Sequence, residues 1–418
     1  MDFIEYDDND RGLLLKRNVD IFGCHSTIRD IVQHYVDTNN EEEGPNNDKK
    51  DDAFYIVDLG EMTRAHMTWT RLLPNVKPFY AIKCNPNPLM LEGLAQLGCN
   101  FDCASEDEIQ QVLNITHDPG RILFANPCKV PSHIRFAKQN NVNVMTFDCA
   151  EELHKIKLYH PRCKLIMRLA VDDSQSVCKF NIKFGCHEHE VEELIRLTKQ
   201  LQLDLVGFSF HVGSGCSSAE VYYDAIRSCR SAFDIAIDLG VPISLLDLGG
   251  GFPGKQKEVG FEEIAQTINE GLSDFFEEEI ADNLIELIAE PGRYFAERTH
   301  TLVLNVIGKK EVMVDGEKTF KYYLNDGIYG PFSCIYFDHS NPRLIPLHLE
   351  GDETLYESTV FGPTCDSVDK IAEGVLLPEL FIGEWMYVKD FGAYTVASSS
   401  AFNGFKTKTF KYIFRGKN

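Results

Sequence analysis

The chain has no apolar run of the ~20 residues that a membrane-spanning helix needs. Its first residues, Met1-Asp2-Phe3-Ile4-Glu5, lack the basic start and apolar core of a secretory leader. We therefore expect neither a membrane nor a secreted setting, but a cytoplasmic one. Basic charge is scarce: 41 Lys and Arg stand against 64 Asp and Glu, a formal charge of −23. Such a balance argues against nucleic acid and anionic membranes as partners. It suits a cationic small molecule. Paired cysteines are not expected either. The thirteen cysteines are an odd number scattered through apolar segments, as in a reduced intracellular protein. The run Cys186-His187-Glu188-His189 has no second ligand pair at metal-site spacing, so no metal is expected. No internal repeat stands out.

What is present is a rhythm. After a lead-in strand at Phe54 to Leu59, apolar runs recur at 79–83, 99–103, 122–125, 143–147, 164–169, 205–211, 243–247 and 285–289. Helical patterns such as Val191 to Leu201 and Ala219 to Leu239 separate them. Eight strand–helix repeats predict an α/β fold, a (β/α)8 barrel of the TIM type. After about residue 298 the pattern turns to β-branched and aromatic runs with turns between them, predicting an all-β domain. Its expected strands are Thr301–Ile307, Phe320–Leu324, Thr359–Phe361, Trp385–Val388 and Lys411–Phe414. We expect the barrel over 54–298 and a discontinuous sheet domain over 1–53 and 299–418. In the leading segment, Leu13 to Leu15 reads as a strand and Ile28 to Tyr35 as an amphipathic helix. Residues 38–52 carry no apolar side chain and read as an exposed, flexible acidic loop.

The ends of the eight runs are chemically useful: Lys83, Asp102, Asn126, Asp148, Arg168, His211, Gly249 and Glu290. In a barrel the C-terminal strand ends converge on one mouth. Lys83 ends an apolar strand, where a desolvated amine can react with carbonyls as a Schiff-base former. Three glycine clusters, at His211 to Gly215, Leu248 to Gly254 and Glu290 to Tyr294, offer close backbone amides for a phosphate, with Arg293 and Ser214 beside them. A lysine and a phosphate pocket at one mouth suggest pyridoxal phosphate. An acid at Glu290 keeps that cofactor's ring nitrogen protonated, which suits decarboxylation over racemisation. Cys365 lies in a glycine-proline turn beside Asp366, a setting for a reactive thiol. Asp338 and Asp366 are carboxylates able to hold a distal ammonium.

The motifs PFYAIKCN, FDCASEDEI, ANPCK, SFHVGSGC, LDLGGGFPG, AEPGRY, NDGIYGPF, GPTCDSVD and GAYTVASSSAFNGF run in order along nearly the whole chain. With them the chain resembles the eukaryotic ornithine decarboxylases. That resemblance implies fold-type III architecture, a cofactor-binding barrel plus a sheet domain, and decarboxylation of L-ornithine to putrescine. It implies Lys83 as the cofactor lysine, Glu290 at the ring nitrogen and His211 stacked on the ring. It implies a phosphate pocket of Ser214, Gly250, Gly251, Gly292, Arg293 and Tyr394, supported by Asp102, Glu108 and Arg168. Cys365 becomes the acid that protonates the α-carbon. Asp338 and Asp366 receive the δ-ammonium, with Tyr329, Phe337 and Phe402 lining the pocket. Phe337 stands where a tyrosine is common in the animal enzymes. The resemblance further implies a homodimer with shared active sites, a Lys183–Asp369 contact between subunits, and antizyme as a candidate partner. Two other readings stay open: a non-catalytic relative of the antizyme inhibitors, and the same chemistry on lysine, arginine or diaminopimelate.

Overall fold

The structure is a computed structural model, and it describes residues 18–41, 50–178, 181–255, 259–349 and 351–416. The chain divides into two compact units, one over Ala65–Phe295 and one combining the residues up to Arg64 with those from Ala296 on.

The first unit is a closed parallel barrel. Its strands are Val76–Ala81, Asn100–Cys103, Ile122–Phe124, Val144–Phe147, Lys164–Arg168, Asp204–Ser209, Leu245–Asp247 and Glu286–Ala289. Each pairs with the next in parallel, and the last closes on the first through Leu287–Val76 and Ala289–Pro78. The runs are apolar because both faces are covered, by the barrel interior and by helices. Phe79, Leu123 and Ile166, from the first, third and fifth strands, pack with Ile288 inside the barrel, and Leu245 of the seventh leans on them. Val144 and Val206, from the fourth and sixth, pack against the same group, so inward side chains of odd and even strands alike fill the core. Helices such as Glu106–Thr116, Glu188–Gln200 and Glu220–Asp238 lie between strands.

The eight expected barrel strands all appear, with one informative difference. The first begins three residues earlier than the apolar pattern suggests and stops at Ala81, and Lys83 lies on a single 3-10 turn, Ile82–Cys84. Ala81 N donates to Pro291 O at 3.2 Å, and Tyr80 Oη donates to Asn85 O at 2.9 Å. These two bonds pull the chain off the strand line before Lys83.

The second unit is a mostly antiparallel sheet in the order Val19–Gly23, Thr409–Gly416, Phe54–Asp58, His300–Val314, Glu317–Leu324, Leu355–Phe361, Lys370–Pro378, with Trp385–Val388 and Ile345–Pro346 branching from it. The two ends of the chain meet there in parallel, Val19 opposite Tyr412 and Gly23 opposite Gly416. Phe54–Asp58, read from sequence as a lead-in to the barrel, instead lies between Thr409–Gly416 and His300–Val314. Its alternate side chains, Phe54 and Ile56, are claimed by a core with Ile31, Val32, Tyr35, Val303, Trp385 and Ile413. The Asp315-Gly316 turn takes left-handed φ of 50° and 86°, the primed geometry that matches strand twist. It extends the hairpin beyond the expected 301–307 and 320–324. Lys370–Pro378 escaped the sequence reading because a glutamate and a left-handed Gly374 interrupt its alternation.

The helix predicted over Ile28 to Tyr35 runs Ile28–Glu41, so 38–41 are helical and not loop. No breaker intervenes, and Thr38 Oγ1 donates to His34 O at 2.8 Å. The rest of the acidic stretch to Lys49, and the strand read at Leu13 to Leu15, lie outside the described residues. Among the described residues no helix is long and apolar enough to cross a membrane.

Trp69 anchors the barrel's outer layer. It is 1% exposed, stacks on Phe261 at 5.4 Å, meets Phe252 edge-on at 4.9 Å, and donates Nε1–H to Val76 O at 2.9 Å. Trp69→Ala should cost about 3–5 kcal/mol by leaving a cavity and an orphaned carbonyl. The shift of the urea midpoint followed by circular dichroism measures it, and a shift below ~1 kcal/mol would contradict this packing.

Candidate active site

The barrel's C-terminal strand ends gather cations and carboxylates in alternation. Asp102, near the end of the second strand, is 1% exposed. One of its oxygens ion-pairs with Lys83 Nζ, and the other is buried without a hydrogen-bond partner. Lys83 itself is not buried. Its side chain is 41% exposed, because the 3-10 turn lifts it past the strand. A carboxylate in a dry setting therefore holds an amine at the edge of the mouth.

Glu108 stands one shell behind. Ser105 Oγ accepts from Glu108 N at 3.3 Å, capping the helix Glu106–Thr116, while Glu108 Oε2 accepts from Ala104 N at 2.5 Å. This is a capping box shifted by one residue. Burial, then the nearby Asp102, raises the Glu108 carboxyl above its usual range.

Arg168 ends the fifth strand. Its Nε and Nη2 are buried without hydrogen-bond partners, and its guanidinium lies 5.5 Å from the Phe184 ring centre. Burial lowers its pKa, opposed by Glu290, Asp148, Asp247 and Asp102. Orphaned guanidinium donors are costly unless an acceptor meets them.

His211 follows the sixth strand. Its Nδ1 accepts from Gly213 N at 3.0 Å, so the proton of the neutral ring sits on Nε2. Burial, then the cations Arg168 and Lys83, hold its pKa well below the usual range, and the ring stays neutral.

The glycine turns pack against this histidine. A Cβ on Gly250 would come within 2.7 Å of His211 Nε2 and 2.9 Å of Glu290 O. A Cβ on Gly251 would meet Gly213 O at 2.7 Å, and its φ of +106° is left-handed. Gly292 sits where a Cβ would touch Cys84 at 3.0 Å, bringing the last turn against the Lys83 turn. Arg293 Nη2 donates to Ser214 Oγ at 3.3 Å. Lys83, Asp102, Glu108, Arg168, His211, Ser214, Gly250, Gly251, Glu290, Gly292 and Arg293 thus share one barrel mouth.

Glu290 N donates to Gly249 O at 2.6 Å. Its side chain is walled round by protein although part of its surface remains accessible. Desolvation first, then the charges of Asp247 and Asp102, push its carboxyl well above the usual range. Asp247 is a residue that sequence reasoning missed. It is wholly buried, accepts from Gly249 N at 2.9 Å, and has its own pKa raised to about 7, chiefly by burial. The signal was present: an aspartate ending an apolar strand immediately before a triple glycine.

All the other expected residues but Lys183 lie in the sheet unit, where Tyr329, Phe402, Cys365 and Asp366 form a group of their own. Tyr329 stacks on Phe402 at 4.2 Å, and its hydroxyl donates to Asp366, which lowers the carboxyl's pKa. Cys365 is exposed, and its N–H donates to Asn403 Oδ1 at 3.4 Å. Asn403, in the left-handed region at φ 52°, is a second missed residue, marked in sequence by its Asn-Gly step. Asp338 and the 76%-exposed Phe337 belong to a different short helix end, where Ser340 Oγ donates to Asp338 at 3.0 Å. Tyr394 has a left-handed φ of 55° and a carbonyl that accepts from Ser398 Oγ at 2.9 Å. Asp369 is 1% exposed and accepts from Ile328 N at 2.8 Å and Thr364 N at 3.0 Å, so it shapes the Cys365 turn. Lys183, in the barrel unit, is exposed, with Nζ 4.9 Å from the Phe184 ring centre.

The Asp247 carboxyl makes stability depend on pH. Its folded pKa of about 7 lies above the ordinary 3.8. The stability this brings is complete below the ordinary value and is lost as pH rises through about 7. Asp247→Asn cannot ionise, so its urea midpoint should fall less than the wild type's between about pH 4 and about pH 8. Parallel pH profiles for the two proteins would contradict a raised Asp247.

Residues 59–297 match a family model described as pyridoxal-dependent decarboxylase, pyridoxal binding domain. The chain is 42% identical over 411 residues to ornithine decarboxylase of Mus musculus, covering 94% of this chain and 87% of that one. It is 45% identical over 372 residues to antizyme inhibitor 2 of Xenopus laevis, covering 86% and 81%. Among solved structures it is similar to the arginine decarboxylase of Paramecium bursaria Chlorella virus, with a TM-score of 0.84, 37% identity, and coverage of 92% of this chain and all of that one.

Proposed function

Because the chain belongs to the pyridoxal-dependent decarboxylases, we propose that it removes the α-carboxylate of L-ornithine as CO2 and releases putrescine. The observation that carries the reading is the convergence of Lys83, Arg168, His211 and Glu290 with the glycine turns at the strand ends of one barrel. The residues fit pyridoxal phosphate. Arg168 has buried donors without acceptors, Asp102 has a buried oxygen without a donor, and the Gly250–Gly251 cradle has no room for a Cβ. When bound, the cofactor supplies an aldehyde and an electron sink for the pair left as CO2 departs.

Lys83 is the amine that holds the cofactor, kept in place by Asp102, with Glu108 behind it. His211 is neutral and is the side chain that stacks on the cofactor's ring. Glu290, held above the usual carboxylate range, carries a proton to share with the ring nitrogen. Asp247 supports it. Ser214, Gly250, Gly251, Gly292, Arg293 and Tyr394 take the phosphate. Asp338 and Asp366 bind the δ-ammonium, with Tyr329, Phe337 and Phe402 as the lining. The Tyr329–Asp366 hydrogen bond favours the ionised form of Asp366, which suits a cationic substrate. Cys365 is the acid that returns a proton to the α-carbon. In this reading the protein works in the cytoplasm as a homodimer, Lys183 and Asp369 take part in the subunit contact, and each chain lends Cys365 and Asp366 to its partner.

Incubation of the purified protein with pyridoxal phosphate and L-ornithine, L-lysine, L-arginine or diaminopimelate, with CO2 measured, tests the proposal. We expect a cofactor absorbance band that borohydride abolishes. CO2 should be released fastest from ornithine, by roughly tenfold or more over lysine, the discrimination one methylene allows. Lys83→Ala should lose both band and turnover; full turnover in that variant would overturn the lysine's role. The similarity to antizyme inhibitor 2 favours one second reading, a non-catalytic antizyme-binding regulator. A colourless protein that releases no CO2 and captures antizyme would establish it. Cys365→Ala should keep the cofactor band but yield less putrescine and more of a product protonated at the wrong carbon. An unchanged product profile by mass spectrometry would remove Cys365 from the reaction.

A further inference from the structure

The sheet unit contains a cavity of its own, about 310 Å³ in volume, that none of the proposed catalytic residues lines. Asp58, Glu61, Arg298, Lys389, Asp390 and Arg415 supply its ionic groups. Their arrangement is layered. The carboxylates of Asp58 and Glu61 form the floor, with side chains 3% and 11% exposed. Guanidinium groups stand over them, those of Arg415, Arg64 and Arg298 being 21%, 39% and 55% exposed.

The floor acids are already engaged. Arg415 Nε meets Asp58 Oδ2 at 2.5 Å and its Nη2 meets Glu61 Oε1 at 2.9 Å. Arg64 Nη2 lies 3.5 Å from Asp58 Oδ2 and 3.1 Å from Glu61 Oε1. Arg298 Nη2 lies 3.2 Å from the other Glu61 oxygen. Asp58 further accepts the backbone N–H groups of Gly60 at 2.9 Å and Arg415 at 3.3 Å. Two carboxylates are thus answered by three guanidinium groups; of these Arg298 and Arg415 line the cavity together with Lys389, while Asp58, Glu61 and Asp390 supply its acids. The guanidinium groups are more exposed than the floor acids, so an entering solute meets them first. In a chain of formal charge −23, a concavity whose cations equal its acids in number, with the guanidinium groups outermost, stands out from its surroundings.

We propose that this cavity is a binding site for a small multivalent oxyanion. Its size is at the lower end for small-molecule pockets. Arginine forks pair with phosphate and carboxylate oxygens alike, so the shared chemistry is two or more oxyanion groups on a compact ligand. The buried acids serve to hold the guanidinium groups in a fixed array. The bound anion draws on the outward faces of Arg298 and Lys389. Neither residue belongs to the proposed cofactor or substrate set, so the site stands or falls independently of the decarboxylase reading.

Isothermal titration of the full-length protein, loaded with pyridoxal phosphate to fill the barrel's own phosphate cradle, tests this. The probes are pyrophosphate and, separately, citrate. We expect saturable binding of at least one, with one site per chain and weakening by added salt. Arg298→Ala and Lys389→Ala should each weaken it by roughly tenfold, the scale of one charge-assisted contact, with the cofactor band unchanged. Tighter binding of pyrophosphate assigns the site to phosphorylated ligands; tighter binding of citrate assigns it to polycarboxylates. No saturable heat with either probe, or equal binding in wild type and both variants, overturns the proposal. Both substituted residues are exposed, so folding of the variants is not at stake.

Discussion

Barrel closure is the constraint on which the site depends. The strand Glu286–Ala289 pairs in parallel with Val76–Ala81, and Lys77 and Glu286, 209 positions apart, ion-pair at 2.7 Å across that seam. The exposed pair itself contributes little. The ladder beside it matters more, because it ends in the bond from Ala81 N to Pro291 O. That bond sets the Lys83 turn against the turn carrying Glu290 and Arg293. Gly292 makes the approach feasible, since any side chain there would press on Cys84 and Ala81. Lys83 and Glu290 are therefore brought together by backbone geometry, before any charge is considered.

Burial first, and neighbouring charge after it, then decide the protonation states. The mouth holds Lys83, Arg168 and Arg293 among Asp102, Asp247 and Glu290, in surroundings too dry for every group to ionise freely. Asp102 meets Lys83 directly. Glu290, facing Asp247 and Asp102, is driven toward its neutral form. His211 sits near two cations and accepts a backbone N–H, so it stays neutral as well. A neutral ring to stack and a carboxyl with a proton to share are what a protonated pyridine nitrogen and a flat cofactor require. The family's chemistry is consistent with the same balance of burial and neighbouring charge.

Much of this was legible in the chain itself. Eight apolar runs, separated by amphipathic helices and ended by polar residues, predict a barrel with its site at the C-terminal rim, because parallel strands covered on both faces must be apolar throughout. Lys83, His211, Ser214 and the glycine clusters could be picked out because each interrupts an apolar pattern with a residue suited to chemistry or close approach. Asp247 was passed over because one aspartate before glycines reads equally well as a turn residue. The edge strand Lys370–Pro378 and the placing of Phe54–Asp58 were missed for a related reason. Periodicity reports that a segment is half-buried, not which neighbour buries it.

The sequence by itself determined the class of fold, the set of reactive side chains and their order, since these follow from local apolar spacing and residue chemistry. Only the tertiary structure decided that Lys83 leaves its strand on a 3-10 turn, that Asp247 is buried beside Glu290, and that three arginines gather around Asp58 and Glu61 between segments as distant as Asp58 and Arg415. The reason is physical. Such features arise from pairing and desolvation between residues far apart in the chain, and no local pattern encodes either.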